Sequence, residues 1–283
     1  MRILMSLFLS ILMVNFVTSV QGEPPSFKGR SINAVRTPQP PKIDGKLDDL
    51  CWKDAPKATT FVDPYTEKPV DDQTEVFVVY DETSIYIAFY AHDSHPQQIL
   101  AKETKRDGNP SGDDYVEVAL DPFHNHKDRS IFTLNAIGTQ FSKIAGGRAE
   151  KTEWKGDWKA AVSRVEDGWI AEMAIPWSIL DYPSTDKPVT IGINFARHHQ
   201  RTGITSYWSN IGHSDQNFFE DDGHIHGVIF PPKRKKKLKI LSYGFAGTEE
   251  ERSRMLRAGL DIRHQPTSET NFLLTINPDF SNV

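Results

Sequence analysis

The hydrophobic pattern of this chain repeats every second residue, in short runs separated by polar turns. The clearest run follows Asp167-Gly168, a tight-turn pair. Trp169, Ala171, Met173 and Ile175 share one face, and Ile170, Glu172 and Ala174 share the other. Pro176 lacks the N–H that a ladder needs, so the strand is expected to stop there. Both faces are largely apolar, which predicts a strand pressed between layers, with Glu172 a lone carboxylate on one of them. Asp157 to Val165 is expected to pair with it across the turn. Thr74–Tyr80 and Ser84–Ala91 read as a hairpin closed by Asp81-Glu82-Thr83, again with apolar residues on both faces. Asp113 to Asp121 returns to strand after a polar excursion, and Ser130–Ala136 with Thr139–Ile144 forms a second hairpin. Thr190–Arg197, Thr205–Ser209 and Ile225–Phe230 complete the set. One short helical stretch is expected, from Ile43-Asp44-Gly45 through Trp52. Short strands at regular spacing without a long helical period predict an all-β fold, a β-sandwich or jelly roll.

The two ends read differently. Arg2 followed by an apolar run from Ile3 to Val17, then Val20-Gln21-Gly22, has the form of a secretory signal peptide over residues 1–22. Glu23 to Pro41 is Pro-rich and polar and reads as a linker. Pro231-Pro232 with the basic run Lys233 to Lys237 marks a boundary after the sandwich at 42–230. Leu238–Phe245, Leu256–His264 and Asn271–Asn277 look like successive strands, too few to close a core alone. They read as the start of a further domain, 238–283, that this chain carries only in part.

Composition narrows the partners. A net charge of -5 with 25% charged residues argues against nucleic acid, and 38% hydrophobic residues suffice for a core. Cys51 is the only cysteine, so no intrachain disulfide forms, and beside Trp52 it reads as a small buried apolar group. No phosphate-binding glycine loop, Ser-His-Asp order or zinc-protease motif is present.

Several motifs in order carry a resemblance: Ile43-Asp44-Gly45 with Trp52, Thr74-Glu75-Val76, Asp113-Asp114-Tyr115-Val116-Glu117, Gly168-Trp169 with Glu172 to Trp177, Gly192-Ile193-Asn194-Phe195 with Arg197, and Trp208-Ser209. Together they resemble carbohydrate-binding module family 9, a β-sandwich related to DOMON-like domains. Thr275 to Val283 resembles the start of a bacterial outer-membrane β-barrel family whose members carry this module at the amino terminus. The resemblance implies an exported protein at the periplasm and outer membrane of a Gram-negative bacterium. It implies a saccharide or polysaccharide partner, gripped by aromatic faces stacking on the sugar and by charged side chains on its hydroxyls. Carried over by position, Glu117 matches the hydroxyl-binding glutamate, with Trp208, Phe218 and Phe219 as further candidate contacts. Ser111 stands where sugar binders have the first stacking tryptophan, and Thr133 where they have an arginine. Family members hold structural calcium, which points to Asp93 and Asp114; turn-capping aspartates are the alternative.

Three functional readings stay open from sequence. The first is non-catalytic capture of a saccharide end beside a barrel. The second is a plug or assembly domain without ligand, which Ser111 and Thr133 favour. The third is an accessory domain of an O-glycosyl hydrolase acting on xylan or cellulose, or a hydrolase in its own right, with Glu117 and Glu172 as the carboxylate pair. His224 and His226, two apart on a strand and near His213 in sequence, would accept zinc given one more ligand; surface histidines are the plainer alternative.

Overall fold

In a computed structural model the described residues are 26–145, 157–212, 219–232, 239–248, 254–264 and 272–276. The stretch expected as a signal peptide and the Lys233 to Lys237 run lie outside them. The alternation becomes two sheets facing one another. The smaller has the order β2–β3–β4–β9–β8, from Lys57–Ala58, Thr74–Tyr80, Ser84–His92, Gly168–Pro176 and Lys159–Val165. The larger runs β1–β12–β10–β5–β6–β7, from Ser31–Asn33, Gly223–Val228, Val189–His199, Tyr115–Asp121, Ser130–Asn135 and Gln140–Lys143. A further strand, β11 (Ile204–Tyr207), pairs with the far end of β10.

The core lies between the two layers. Val76, Val78, Ile85, Ile87, Phe89, Trp169, Ala171 and Met173 from one sheet meet Val116, Val118, Leu120, Phe132, Leu134, Ile191, Ile193 and Phe195 from the other. The second apolar face predicted for β3, β4 and β9 is also accounted for. Phe77, Val79, Tyr86, Ala88 and Ala174 point away from the sandwich and are covered by Val35, Ile43, Leu47, Cys51 and Trp52. That cover is the segment around the short helix α1 (Leu50–Lys53), so β3, β4 and β9 are buried on both sides.

Part of the stretch expected as linker is structured. Ser31–Asn33 forms β1 and pairs in parallel with β12, Ile32 opposite Ile225, closing an edge of the larger sheet. Composition alone hid it, because a three-residue edge strand needs only one inward apolar side chain, here Ile32. After the sandwich, β13 (Lys239–Thr248), β14 (Arg254–His264) and β15 (Phe272–Ile276) form a separate antiparallel sheet. Among the described residues no helix is long and apolar enough to cross a membrane, which says nothing of crossing by strands.

Candidate functional site

The outer face of the larger sheet is built by the residues that alternate with its core positions. On β5 these are Tyr115, Glu117, Ala119 and Asp121, since Val116, Val118 and Leu120 point inward. Register places Ala196 of β10 and Thr133 of β6 on either side of Glu117, with Tyr207 beyond Ala196 and Phe141 beyond Thr133. Thr133 Oγ1 donates to Glu117 Oε2 at 2.9 Å. Among the described residues the other oxygen, Oε1, accepts no hydrogen bond. Burial pushes the Glu117 carboxyl up, against the pull of Thr133, Arg129 and Lys143. Thr133 thus spends its hydroxyl on Glu117, and Arg129, just before β6, supplies nearby positive charge.

Tyrosines rim this position. Tyr115 stacks on His198 with ring centroids 4.9 Å apart, and burial pushes its phenol up to about 12. Burial raises Tyr207 further, with the Glu117 charge adding to the effect. Val62 and Tyr207 exchange backbone hydrogen bonds of 2.9 and 3.0 Å, which brings the Asp63–Thr66 turn to this edge. Tyr65 on that turn is 74% exposed.

The other candidates fall elsewhere. Trp208 is 1% exposed and packs in the core, its ring 5.5 Å from that of Phe195. Arg30 lies over the ring, 5.4 Å from its centroid, so it offers no face to a sugar. Phe218 and His213 lie outside the described residues, and only the backbone of Phe219 is described, in a short turn ahead of β12. Ser111 is exposed in the loop before β5, where it presents no ring.

Glu172 proves to be a structural anchor. Its Oε2 accepts from the backbone N–H groups of Asp44, Gly45 and Lys46 at 2.9, 2.7 and 3.3 Å, and its Oε1 from Trp52 Nε1 at 3.0 Å. It lies on the outer face of the smaller sheet, whereas Glu117 lies on the outer face of the larger one. Two sheets stack about 10 Å apart with these side chains pointing away from each other, so the two carboxylates cannot flank one glycosidic bond.

Asp93 and Asp114 are both buried but have separate surroundings. Asp114 Oδ2 accepts from Leu100 N at 2.8 Å and its Oδ1 from Gln200 N at 3.2 Å, holding the polar excursion against the sheet. Asp93 Oδ2 accepts from Arg197 Nη2 at 3.2 Å and pairs with His199 Nε2 at 3.0 Å, while its Oδ1 accepts from Arg201 and from His95 N. Burial would raise the Asp93 carboxyl, but these donors outweigh it and hold it below the usual range. Asp72, Asp93 and His199 converge closely enough to contemplate an ion, without Asp114. The two guanidiniums on Asp93 already supply the positive charge that calcium would bring.

Residues 43–228 match the family described as "Carbohydrate family 9 binding domain-like". The chain is 30% identical over 178 residues to an endo-1,4-beta-xylanase A of Thermotoga maritima, an alignment covering 60% of this chain and 15% of the xylanase. A putative carbohydrate-binding protein from Bacteroides uniformis superposes with a TM-score of 0.55 at 18% identity, over 70% of this chain and 98% of that one. A family 9 module from Caldicellulosiruptor kristjanssonii, solved with cellotriose, gives 0.49 at 15% identity over 72% and 95%. The ordered strands, the buried Trp52–Glu172 anchor and the family match over most of the sandwich converge: this chain belongs to the carbohydrate family 9 binding domain-like family.

Proposed function

We propose that the outer face of the larger sheet, centred on Glu117, captures the end of a saccharide or polysaccharide chain without cleaving it. The observation that carries this reading is the half-buried Glu117 carboxylate, with one oxygen engaged by Thr133 and the other left for a ligand. A sugar hydroxyl is a neutral donor of the size and polarity to fill that place. The rim supplies what pyranose rings need, aromatic surface in Tyr115, Tyr207 and the exposed Tyr65. Calorimetric titration with xylo- and cello-oligosaccharides tests the reading. Glu117→Ala should cost about 1.5–3 kcal/mol of binding, the range for a hydrogen bond to a charged group. That is about tenfold or more in Kd. No heat with any of these sugars across the millimolar range would remove the claim.

A second observation favours attachment to an outer membrane through the β13–β15 sheet. Ile240, Ile262 and Leu274 stand in one cross-strand row, with Leu260 beside Ile276 in the next. Ile240, Phe272, Leu274 and Ile276 on that face are all more than half exposed, while the opposite face mixes Asp261 and Thr275 with Leu241 and the exposed Leu273. β13 has 10 residues and β14 has 11, the length of a tilted bilayer-crossing strand. A continuous apolar face across neighbouring strands is what a lipid-embedded barrel presents to the bilayer. Fractionation of cells expressing the full-length gene should place the protein in the outer membrane; recovery in the soluble periplasm would end this reading. A hydrolase accessory role, the setting suggested by the xylanase relative, would instead require a catalytic domain elsewhere in the full-length protein.

A further inference from the structure

Four histidines meet at the other end of the same sheet face. His224 and His226 stand on β12, both on its outer side because Ile225 between them faces the core. The β5–β6 loop brings His124 and His126 against them, from a hundred residues away in sequence. His124 Nε2 and His224 Nδ1 are 3.0 Å apart, with the rings nearly perpendicular at 88°. Ring centroids separate His124 from His126 by 4.6 Å and His224 from His226 by 6.2 Å.

We propose that His124 and His224 begin a site for a divalent transition-metal ion of the zinc class, completed when His126 or His226 turns its ring toward them; among the described residues only Asp72, Asp93 and His199 already bring three ligand atoms together. Nitrogens bound to one tetrahedral zinc at about 2.0–2.1 Å lie roughly 3.3 Å from each other, close to the gap already present between the two rings. The rings face one another through His124 Nε2 and His224 Nδ1, and the tautomers with protons on His124 Nδ1 and His224 Nε2 turn both facing lone pairs to an ion. His226 has its Nδ1 against Thr190 Oγ1 at 2.9 Å, an outer contact that leaves Nε2 for an ion. Asp121 Oδ2 accepts the backbone N–H groups of Asn125 and His126 at 2.8 and 2.9 Å, which shapes the loop and places a carboxylate beside the cluster.

Two further features agree. His124 and His126 both hold positive φ, 49° and 57°, a left-handed backbone that side chains other than glycine adopt at a cost. Three of the four are half-buried and His226 is exposed, so an ion can enter from solvent. The sequence displayed only the His224/His226 pair, since nothing in spacing joins it to residues 124 and 126.

Calorimetric titration of the untagged, metal-stripped chain with Zn2+ should show one equivalent bound with a micromolar or tighter Kd. Co2+ should give the visible absorption of a nitrogen-ligated tetrahedral ion, which reads the ligands in the unaltered chain. His224→Ala and His124→Ala should each weaken Zn2+ at least about tenfold. Asp72→Asn, in the separate Asp72–Asp93–His199 cluster, should leave the affinity unchanged. Absence of Zn2+ binding by the unaltered chain overturns the proposal. So does loss in Asp72→Asn with retention in His224→Ala.

Discussion

Replacing Arg197 by methionine should lower the unfolding free energy by about 3–5 kcal/mol, the cost of leaving a buried charge without its partner. The side chains of Arg197 and Asp93 are 1% and 0% exposed. Arg197 joins the two sheets at one end of the sandwich, donating to the backbone carbonyls of Asp72 and His92 and to the Asp93 carboxylate. Methionine fills similar volume but satisfies none of these acceptors. Lysine keeps the charge yet cannot reach three acceptors in a fixed fork, so Arg197→Lys should recover only part of the loss. The pH dependence gives a second readout. Asp93 has its folded pKa depressed, so its stabilisation is complete above the unfolded aspartate value of about 3.9 and is lost as pH falls through the folded value. With Arg197 gone, burial regains weight, the folded value rises, and the acid limb should move to higher pH. Urea unfolding at pH 7 and across pH 3–7 measures both effects. A loss below about 1 kcal/mol with an unmoved acid limb would show that Arg201 and His199 suffice.

Glu172→Gln should cost about 3 kcal/mol, although it changes one atom. Every neighbour of this carboxylate is a donor: three consecutive backbone N–H groups on one oxygen and the Trp52 indole on the other. An amide must turn its NH2 toward one of those groups, setting donor against donor in a buried place, and charge-assisted bonds of about 1.5–3 kcal/mol are lost. What comes loose is the segment from Ile43 through α1 that covers the smaller sheet. Gly45→Ala should release the same segment by another route. Gly45 sits at φ +82°, and a Cβ there would lie 2.8 Å from the carbonyl carbon of Val162. The two changes should therefore be less than additive in a double-mutant cycle. Amide exchange should rise over the Asp44–Lys53 backbone in either variant. Full additivity with no change in exchange there would refute a shared anchor.

How far these features were legible from sequence depended on whether their partners were local. The strands were legible, because a two-residue period and a turn such as Asp167-Gly168 show themselves within ten residues. The two-sided burial of β9 was legible for the same reason, and Glu172 stood out as the misfit on its outer face. Its role was not, since its donors lie 120 to 128 residues upstream. Asp93 shows the same limit: an aspartate beside a loop reads alike whether its countercharge is an ion or an arginine 104 residues away. Trp208 was misjudged by phase. It alternates with Tyr207, so one of the two had to face the core, and sequence could not say which. The aromatic that reaches the open face is the tyrosine.

β1 carries a practical consequence for anyone trimming this protein. The family match begins at residue 43, yet the edge of β12 is covered by Ser31–Asn33, and Arg30 donates to the carbonyls of Thr59, Thr60 and Trp208. A polypeptide begun at the family boundary would lose this edging and present a bare row of β12 backbone groups to its neighbours, an invitation to strand exchange between molecules. Such a fragment should migrate as larger species by size-exclusion chromatography than one begun at Ser26. Where this domain starts is thus set by the strand that covers its edge, twelve residues ahead of its recognisable sequence signature.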